Sequence, residues 1–222
     1  MFAGATSPPL RIGYLLFPGF QALDVFGPLD ALNILSWTHE IVLHLVASSR
    51  WPVSTKPDSY PNAFEQRVLP TDTFTSVPPL DVLFVPGGLG TRSQNVDIEE
   101  AIQFIHDVFP RLKYLVTVCT GATLAAQAGV LNGKRATTNK KAWKMVTEKS
   151  PLVEWVPQAR WVVDGKVWTS AGVSAGIDTT LAWIEEVWGP QVAKQIADGM
   201  EYVRETESTL DPFCALNGLA AP

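Results

Sequence analysis

Three short apolar segments, each ending at a turn of glycine or other small residues, constrain the fold of this chain most strongly. They are residues 11–17, 81–86 and 114–119. Short apolar runs of this kind are typical of strands that are buried on both faces of a parallel sheet. Because such a sheet needs helices on both sides, the predicted fold class is α/β, a doubly wound sandwich with a mostly parallel sheet.

The remaining elements are predicted from periodicity and turn residues. Apolar residues at helical spacing follow the first strand, with Pro28 expected in the first turn of that helix. We also predict strands at 41–47 and 135–138, helices at 98–109, 120–129, 176–188 and 191–202, a hairpin joining 159–163 to 167–170, and a hairpin or irregular insertion within 51–79. We expect one domain over residues 1–222, with its core at about 11–202 and short terminal extensions.

Composition and charge exclude several classes of function. The formal net charge is -5 and the densest cationic clusters are pairs, so nucleic acid is not an expected partner. The only cysteines, Cys119 and Cys214, are far apart and have no histidine cluster beside them, which argues against a disulfide framework or a metal site. Residues 1–9 do not resemble a signal peptide, and no apolar run is long enough to span a membrane. A cytoplasmic protein is expected.

Three segments that are distant in sequence should meet at one edge of the sheet. In doubly wound sheets, sites form outside the carboxyl ends of the strands. Asp24, the pair Gly87 and Gly88, and Cys119 each follow a different predicted strand at that end. The sequence therefore predicts that these residues converge on a common site.

Cys119 is the candidate nucleophile of that site. It lies where a strand gives way to a helix, and the positive end of a helix dipole favours thiolate over thiol. The small residues after it suit a tight turn, and the backbone N–H of Thr120 could donate to developing negative charge. The alternative reading is a buried cysteine that only fills the core.

The two other segments have comparable alternatives. Gly87 and Gly88 either let the backbone approach Cys119 and offer a second N–H donor, or form a plain tight turn. Their spacing does not match a nucleotide-binding loop. Asp24, between apolar neighbours, is either a charge at a helix N-terminus or a desolvated acid/base with a raised pKa.

The other titratable residues fit the site less well. His39, His44 and His106 fall at a strand edge, in a strand and on a surface helix, which disfavours a dyad of cysteine and histidine. Asp178 could orient the turn around Cys119 from a neighbouring helix, although an acid at a helix start is more often a cap or a dipole partner.

Four motifs taken together resemble the ThiJ/PfpI superfamily, and within it the branch typified by isocyanide hydratases. The match runs from about residue 11 to residue 202. The motifs are LFPGFQALDVFGP at 16–28, VPGGLG at 85–90, VCTGA at 118–122 with AGVLNGKRATT at 128–138, and SAGVSAGID at 170–178.

The resemblance implies a flavodoxin-like sandwich, a homodimer, and a cofactor-free and metal-free enzyme that adds water to an isocyanide to give an N-substituted formamide. It implies Cys119 as the nucleophile and Asp24 as its carboxylate partner. Transferred onto this sequence, the donors to substrate or water would be the backbone N–H groups of Gly88, Leu89 and Thr120, with the Thr120 hydroxyl beside Cys119.

Departures from the family pattern leave other activities open. Thr120 follows the cysteine where superfamily peptidases have histidine, which argues against peptidase activity. Residues 139–143 follow the Thr-Thr pair where the hydratase branch often has an aromatic residue or histidine, so the pocket there can differ. The alternatives are a glyoxalase-type conversion of a 2-oxoaldehyde, a cysteine redox sensor or binding module, and a catalytically inactive relative.

Overall fold

The predicted apolar strands form the centre of one sheet in a computed structural model that describes residues 11–219. The expectations for residues 1–9 lie outside this range. The strands are β1 (Arg11–Leu15), β2 (Val42–Ala47), β3 (Val53–Ser54), β4 (Arg67–Val68), β5 (Asp72–Thr73), β6 (Val82–Val85), β7 (Tyr114–Thr117), β8 (Arg135–Ala136), β9 (Glu154–Trp155), β10 (Trp161–Asp164) and β11 (Val167–Ser170).

The main sheet has seven strands in the order β10-β11-β7-β6-β1-β2-β5. All neighbours pair in parallel except β10 and β11, the predicted hairpin. Because β1, β6 and β7 are adjacent and parallel, their carboxyl ends lie side by side. The segment 51–79 contains the antiparallel pair of β3 and β4, which confirms a hairpin there.

Helices cover the sheet in two groups. They are α1 (Ala22–Ser36), α2 (Val96–Val108), α3 (Gly121–Gln127), α4 (Trp143–Glu148), α5 (Ala175–Trp188), α6 (Pro190–Gly199) and α7 (Pro212–Leu216). Helices α1, α5 and α6 pack against one another, and α2 packs against α3. The core includes fully buried Trp183, whose ring lies edge-on to Phe84. The predicted doubly wound α/β sandwich is confirmed.

The start of α1 differs from the prediction. The helix begins at Ala22, so Pro28 lies inside it instead of in its first turn. Proline has no N–H and cannot bond the carbonyl four residues earlier, which belongs to Asp24. The hydroxyl of Tyr14 on β1 donates to that carbonyl oxygen instead. A hydrogen bond from the sheet thus replaces the missing helical one and fixes the first turn of α1 against β1.

Candidate active site

Cys119 lies on a strained turn between β7 and α3. Its φ angle is 58°, in the left-handed region that a non-glycine residue seldom occupies. Two hydrogen bonds hold the turn: the N–H of Cys119 donates to the carbonyl of Ala171 at 3.0 Å, and its carbonyl accepts from Thr138 Oγ1 at 2.9 Å. Gly121 is also needed, because a Cβ there would lie 2.2 Å from the carbonyl oxygen of Val85.

The thiol of Cys119 is buried among polar groups. Asn139 Nδ2 donates to Sγ at 3.2 Å, and the backbone N–H groups of Val173 and Thr120 also bond the sulfur. Burial, followed by the negative charge of Asp24, nevertheless raises the pKa of Cys119 to about 12. The expectation that the helix start favours thiolate is therefore wrong for this state, because desolvation outweighs three hydrogen-bond donors.

Asp24 is fully buried in the first turn of α1 and faces the same thiol. The N–H of Gly87 donates to Oδ2 at 2.9 Å. Burial raises the pKa of Asp24 to about 7, although the bonds from Gly87 and from the Cys119 thiol lower it. Asp24 therefore stands in the first turn of a helix and is desolvated, with the raised pKa that the second sequence interpretation expected.

The second carboxylate oxygen of Asp24, Oδ1, has no well-formed hydrogen bond to any protein group in residues 11–219. A buried acceptor without a partner is costly in a folded protein. Oδ1 is consequently the atom on which a proton from the thiol or from water can be taken up.

The glycine pair allows the close approach expected of it. A Cβ on Gly87 would lie 2.5 Å from Thr120 N and 2.9 Å from Asp24 Oδ2, so a side chain there would separate the acid from the cysteine turn. Gly88 has a φ angle of 134°, and its N–H donates to Thr120 Oγ1 at 3.0 Å. In this structure the Gly88 N–H is thus engaged by a protein hydroxyl.

The other predicted donors to substrate or water were on Leu89 and Thr120. Leu89 begins a single 3-10 turn, Leu89–Arg92. The hydroxyl of Thr120 donates to the carbonyl of Gly88 at 3.2 Å and accepts from Thr91 Oγ1 at 3.2 Å, so it braces the glycine turn instead of the thiol. Of the groups on Thr120, the backbone N–H is the one that reaches Cys119.

The other titratable candidates lie outside this cluster. Two histidines are placed as predicted: His44 in β2 bonds Asp72, and His106 in α2 bonds the carbonyl of Ala128. His39 lies in the bend that follows α1 instead of at a strand edge. Asp178 makes no direct hydrogen bond to the cysteine turn. Its oxygens bind the Arg160 side chain, the Tyr202 hydroxyl and the N–H of Glu205 instead.

Two contributors to the site were missed at the level of sequence. Asn139 is one of the residues at which the chain departs from the hydratase pattern, and that departure was the available signal. Val173 has a φ angle of 31°, which turns its N–H toward Cys119. Nothing in the sequence marks that conformation, because valine ordinarily avoids it.

Residues 11–219 contain neither a candidate metal centre nor a candidate membrane span. In this part of the chain no group of three or more histidine, cysteine, aspartate or glutamate residues could hold a metal ion. None of its helices is both long and apolar enough to cross a membrane.

The comparisons with known proteins identify the family of this chain. A model described as the DJ-1/PfpI family matches residues 10–186. The isonitrile hydratase of Pseudomonas putida is 36% identical over 194 residues, 87% of this chain and 78% of that enzyme. The transcriptional regulator CdhR of Pseudomonas aeruginosa, an HTH-type protein, is 26% identical over 83% of this chain and 53% of its own length.

A solved structure extends the likeness to three dimensions. The crystal structure of a ThiJ/PfpI family protein from Pseudomonas syringae aligns with a TM-score of 0.72 at 28% identity, covering 90% of this chain and 77% of that one. Together with the family match, this likeness settles the fold class and the family. The chain belongs to the DJ-1/PfpI family, also called ThiJ/PfpI, and has its flavodoxin-like fold.

Proposed function

We propose that this protein is a cysteine-dependent, cofactor-free hydratase that converts an isocyanide into an N-substituted formamide. The observation that carries the proposal is the buried pair of Cys119 and Asp24 with no histidine beside it. A carboxyl whose pKa is about 7 can both accept and donate a proton at neutral pH. The 36% identity to an isonitrile hydratase supports the choice of substrate.

In the first half of the reaction the thiol adds across the terminal carbon of the isocyanide R–N≡C. Asp24 Oδ1 accepts the proton of Cys119 as Sγ bonds to that carbon, because a thiol with a pKa of about 12 does not ionise by itself near neutral pH. Asp24 then gives the same proton to the carbon. The product of this half is a thioimidate, R–N=CH–S–Cys119.

In the second half water adds to the thioimidate carbon. Asp24, again a carboxylate, removes a proton from the water and passes it to the nitrogen, which leaves R–NH–CH(OH)–S–Cys119. The carbon–sulfur bond then breaks, and Asp24 carries the hydroxyl proton back to Sγ. The N–H groups of Thr120 and Val173 stabilise the negative charge that develops on the sulfur. One isocyanide and one water give one formamide, R–NH–CHO.

The remaining family expectations belong to the same proposal. We expect a homodimer in a reducing, cytoplasmic setting that binds a small molecule and no nucleic acid. A redox sensor is disfavoured by the site itself, since Cys119 is 5% exposed and its thiol pKa is raised, whereas sensor cysteines are accessible and acidic.

The test is a substrate panel on purified protein. Phenyl isocyanide should yield N-phenylformamide, methylglyoxal should yield little lactate, and Asp24→Asn should abolish formamide production. Asp30→Asn is the matched control, since Asp30 is exposed on the same helix. Turnover of methylglyoxal alone would replace the proposal with the glyoxalase reading, and undiminished formamide production by Asp24→Asn would refute the role of the acid.

A further inference from the structure

A cavity of about 210 Å³ lies beside the Cys119 turn. Three parts of the chain enclose it: residues 139–141, the loop 172–174 before α5, and helix α7 through Phe213 and Asn217. Substrate cavities are usually larger, at several hundred Å³. Its size suits a small molecule with one compact substituent.

The inner wall of this cavity consists of groups that contact the thiol. Asn139 and Val173 line the cavity, and both also donate hydrogen bonds to Cys119 Sγ. Gly172 makes this possible, because a Cβ there would lie 2.7 Å from Asn139 Nδ2 and would displace the amide. Cys119 itself does not line the cavity, so Asn139 and Val173 are the groups that connect the cavity to the sulfur.

The outer wall is supplied by α7, which lies beyond residues 10–186, the part matched by the family model. The helix is fixed in place by a buried ion pair between Lys140 Nζ and Asp211 Oδ2 at 3.3 Å. The side chain of Gln158 also donates to the carbonyl of Thr209 at 2.9 Å. Phe213, two residues after Asp211 and 47% exposed, lines the cavity from this anchored helix.

The charges around the cavity are unequal at its two ends. Lys141 is an exposed cation that lines the cavity, and no carboxylate within residues 11–219 forms an ion pair with it. Lys140, by contrast, is already paired with Asp211. At the inner end, the thiol bonded by Asn139 and Val173 also interacts with the carboxyl of Asp24. A ligand with an anionic group is attracted to the outer end and repelled from the inner one.

We propose that this cavity binds isocyanides whose substituent carries a carboxylate, with the isocyanide group at Asn139 and Val173, next to Cys119, and the carboxylate at Lys141. The inference rests on the proposed function and adds its substrate class. The positive charge of Lys141 and the negative charge of Asp24 favour one orientation of such a molecule, in which its isocyanide group faces Cys119. A neutral isocyanide of the same shape lacks that guidance and is expected to bind more weakly.

The first test compares 4-isocyanobenzoate with phenyl isocyanide. We expect kcat/KM to be about fivefold higher for the carboxylate, the size of one partly exposed charge contact. Lys141→Gln should remove the preference, whereas Lys144→Gln, at a similarly exposed lysine, should keep it. Equal kcat/KM values in the wild type, or an unchanged preference in Lys141→Gln, would overturn the inference while leaving the hydratase proposal intact.

The second test does not depend on isocyanide turnover. Cys119 is alkylated with N-(4-carboxyphenyl)iodoacetamide or N-phenyliodoacetamide, and the modified peptide is quantified by mass spectrometry with glutathione as the reference thiol. We expect a preference of about fivefold for the carboxylate reagent, lost in Lys141→Gln. If neither isocyanide is hydrated, the hydratase proposal fails, but the ratio of the two alkylation rates still tests whether a carboxylate binds at Lys141. A ratio equal to that of glutathione would overturn this inference.

Discussion

Replacing Asp24 by asparagine should stabilise the protein at high pH while abolishing its activity. Burial raises the pKa of Asp24 from the ordinary 3.8 to about 7. Between these values the folded protein keeps a proton that the unfolded chain has released, so the free energy of unfolding falls as the pH rises. A shift of about three pH units corresponds to about 4 kcal/mol, all of which is lost above pH 7.

Asparagine keeps the shape of the side chain and can still accept the hydrogen bond from Gly87, but it has no charge to bury. We expect Asp24→Asn to be about 2–4 kcal/mol more stable than the wild type at pH 8.5, with the lower bound allowing for an imperfectly placed amide. At pH 4.5 the wild-type carboxyl is protonated in the fold, and the two proteins should differ by less than about 1 kcal/mol.

Urea unfolding measures this directly, and the eight tryptophans provide the fluorescence signal. Asp178→Asn is the control for a buried acid that has a counter-charge. It leaves the Arg160 guanidinium without its ion-pair partner and should therefore destabilise the fold at both pH values. The reasoning would be refuted if Asp24→Asn were no more stable than the wild type at pH 8.5, or if its gain were the same at pH 4.5.

Three further outcomes follow from the same contacts. The kcat/KM for an isocyanide should rise with pH through an apparent pKa near 7, because Asp24 must be ionised to accept the thiol proton; a flat profile from pH 5.5 to 8.5 would contradict this. Gly87→Ala should lower turnover at least about 100-fold, since its Cβ enters the space between Asp24 and Thr120, whereas Gly199→Ala, which meets no neighbouring atom, should be harmless. Tyr14→Phe should cost about 1–3 kcal/mol in urea unfolding, because the Asp24 carbonyl in the proline-containing helix loses its donor; unchanged stability would show that this bond is not needed.

The sheet and its site could be predicted because they depend on patterns local to the chain. Apolar runs followed by glycine or small residues identify β1, β6 and β7, and the rule for parallel sheets places their carboxyl ends together. That is why Asp24, Gly87 and Cys119 could be grouped before any coordinates were known. Helix α7 was missed because it is five residues long and is stabilised by an ion pair between distant residues.

The protonation state of the site could not be read from the sequence. A helix start favours a thiolate only when the sulfur remains hydrated, and the burial of Cys119 depends on how the surrounding elements pack. The same is true of Asn139 and Val173, which reach the sulfur from loops that are distant in sequence. Desolvation and long-range hydrogen bonds depend on tertiary structure. For this reason the sequence alone could not predict that the pKa of Cys119 is raised and that the pKa of Asp24 is about 7.

The central claim is that Cys119 forms the bond to the isocyanide carbon, and the most direct measurement is formamide production by Cys119→Ala beside Cys214→Ala. Both cysteines are buried, but Cys214 lies on α7, whereas Cys119 is the cysteine that interacts with Asp24. The account predicts that Cys119→Ala keeps its fold and loses all detectable turnover, while Cys214→Ala retains most of it. Formamide production at the wild-type rate by folded Cys119→Ala would contradict the account.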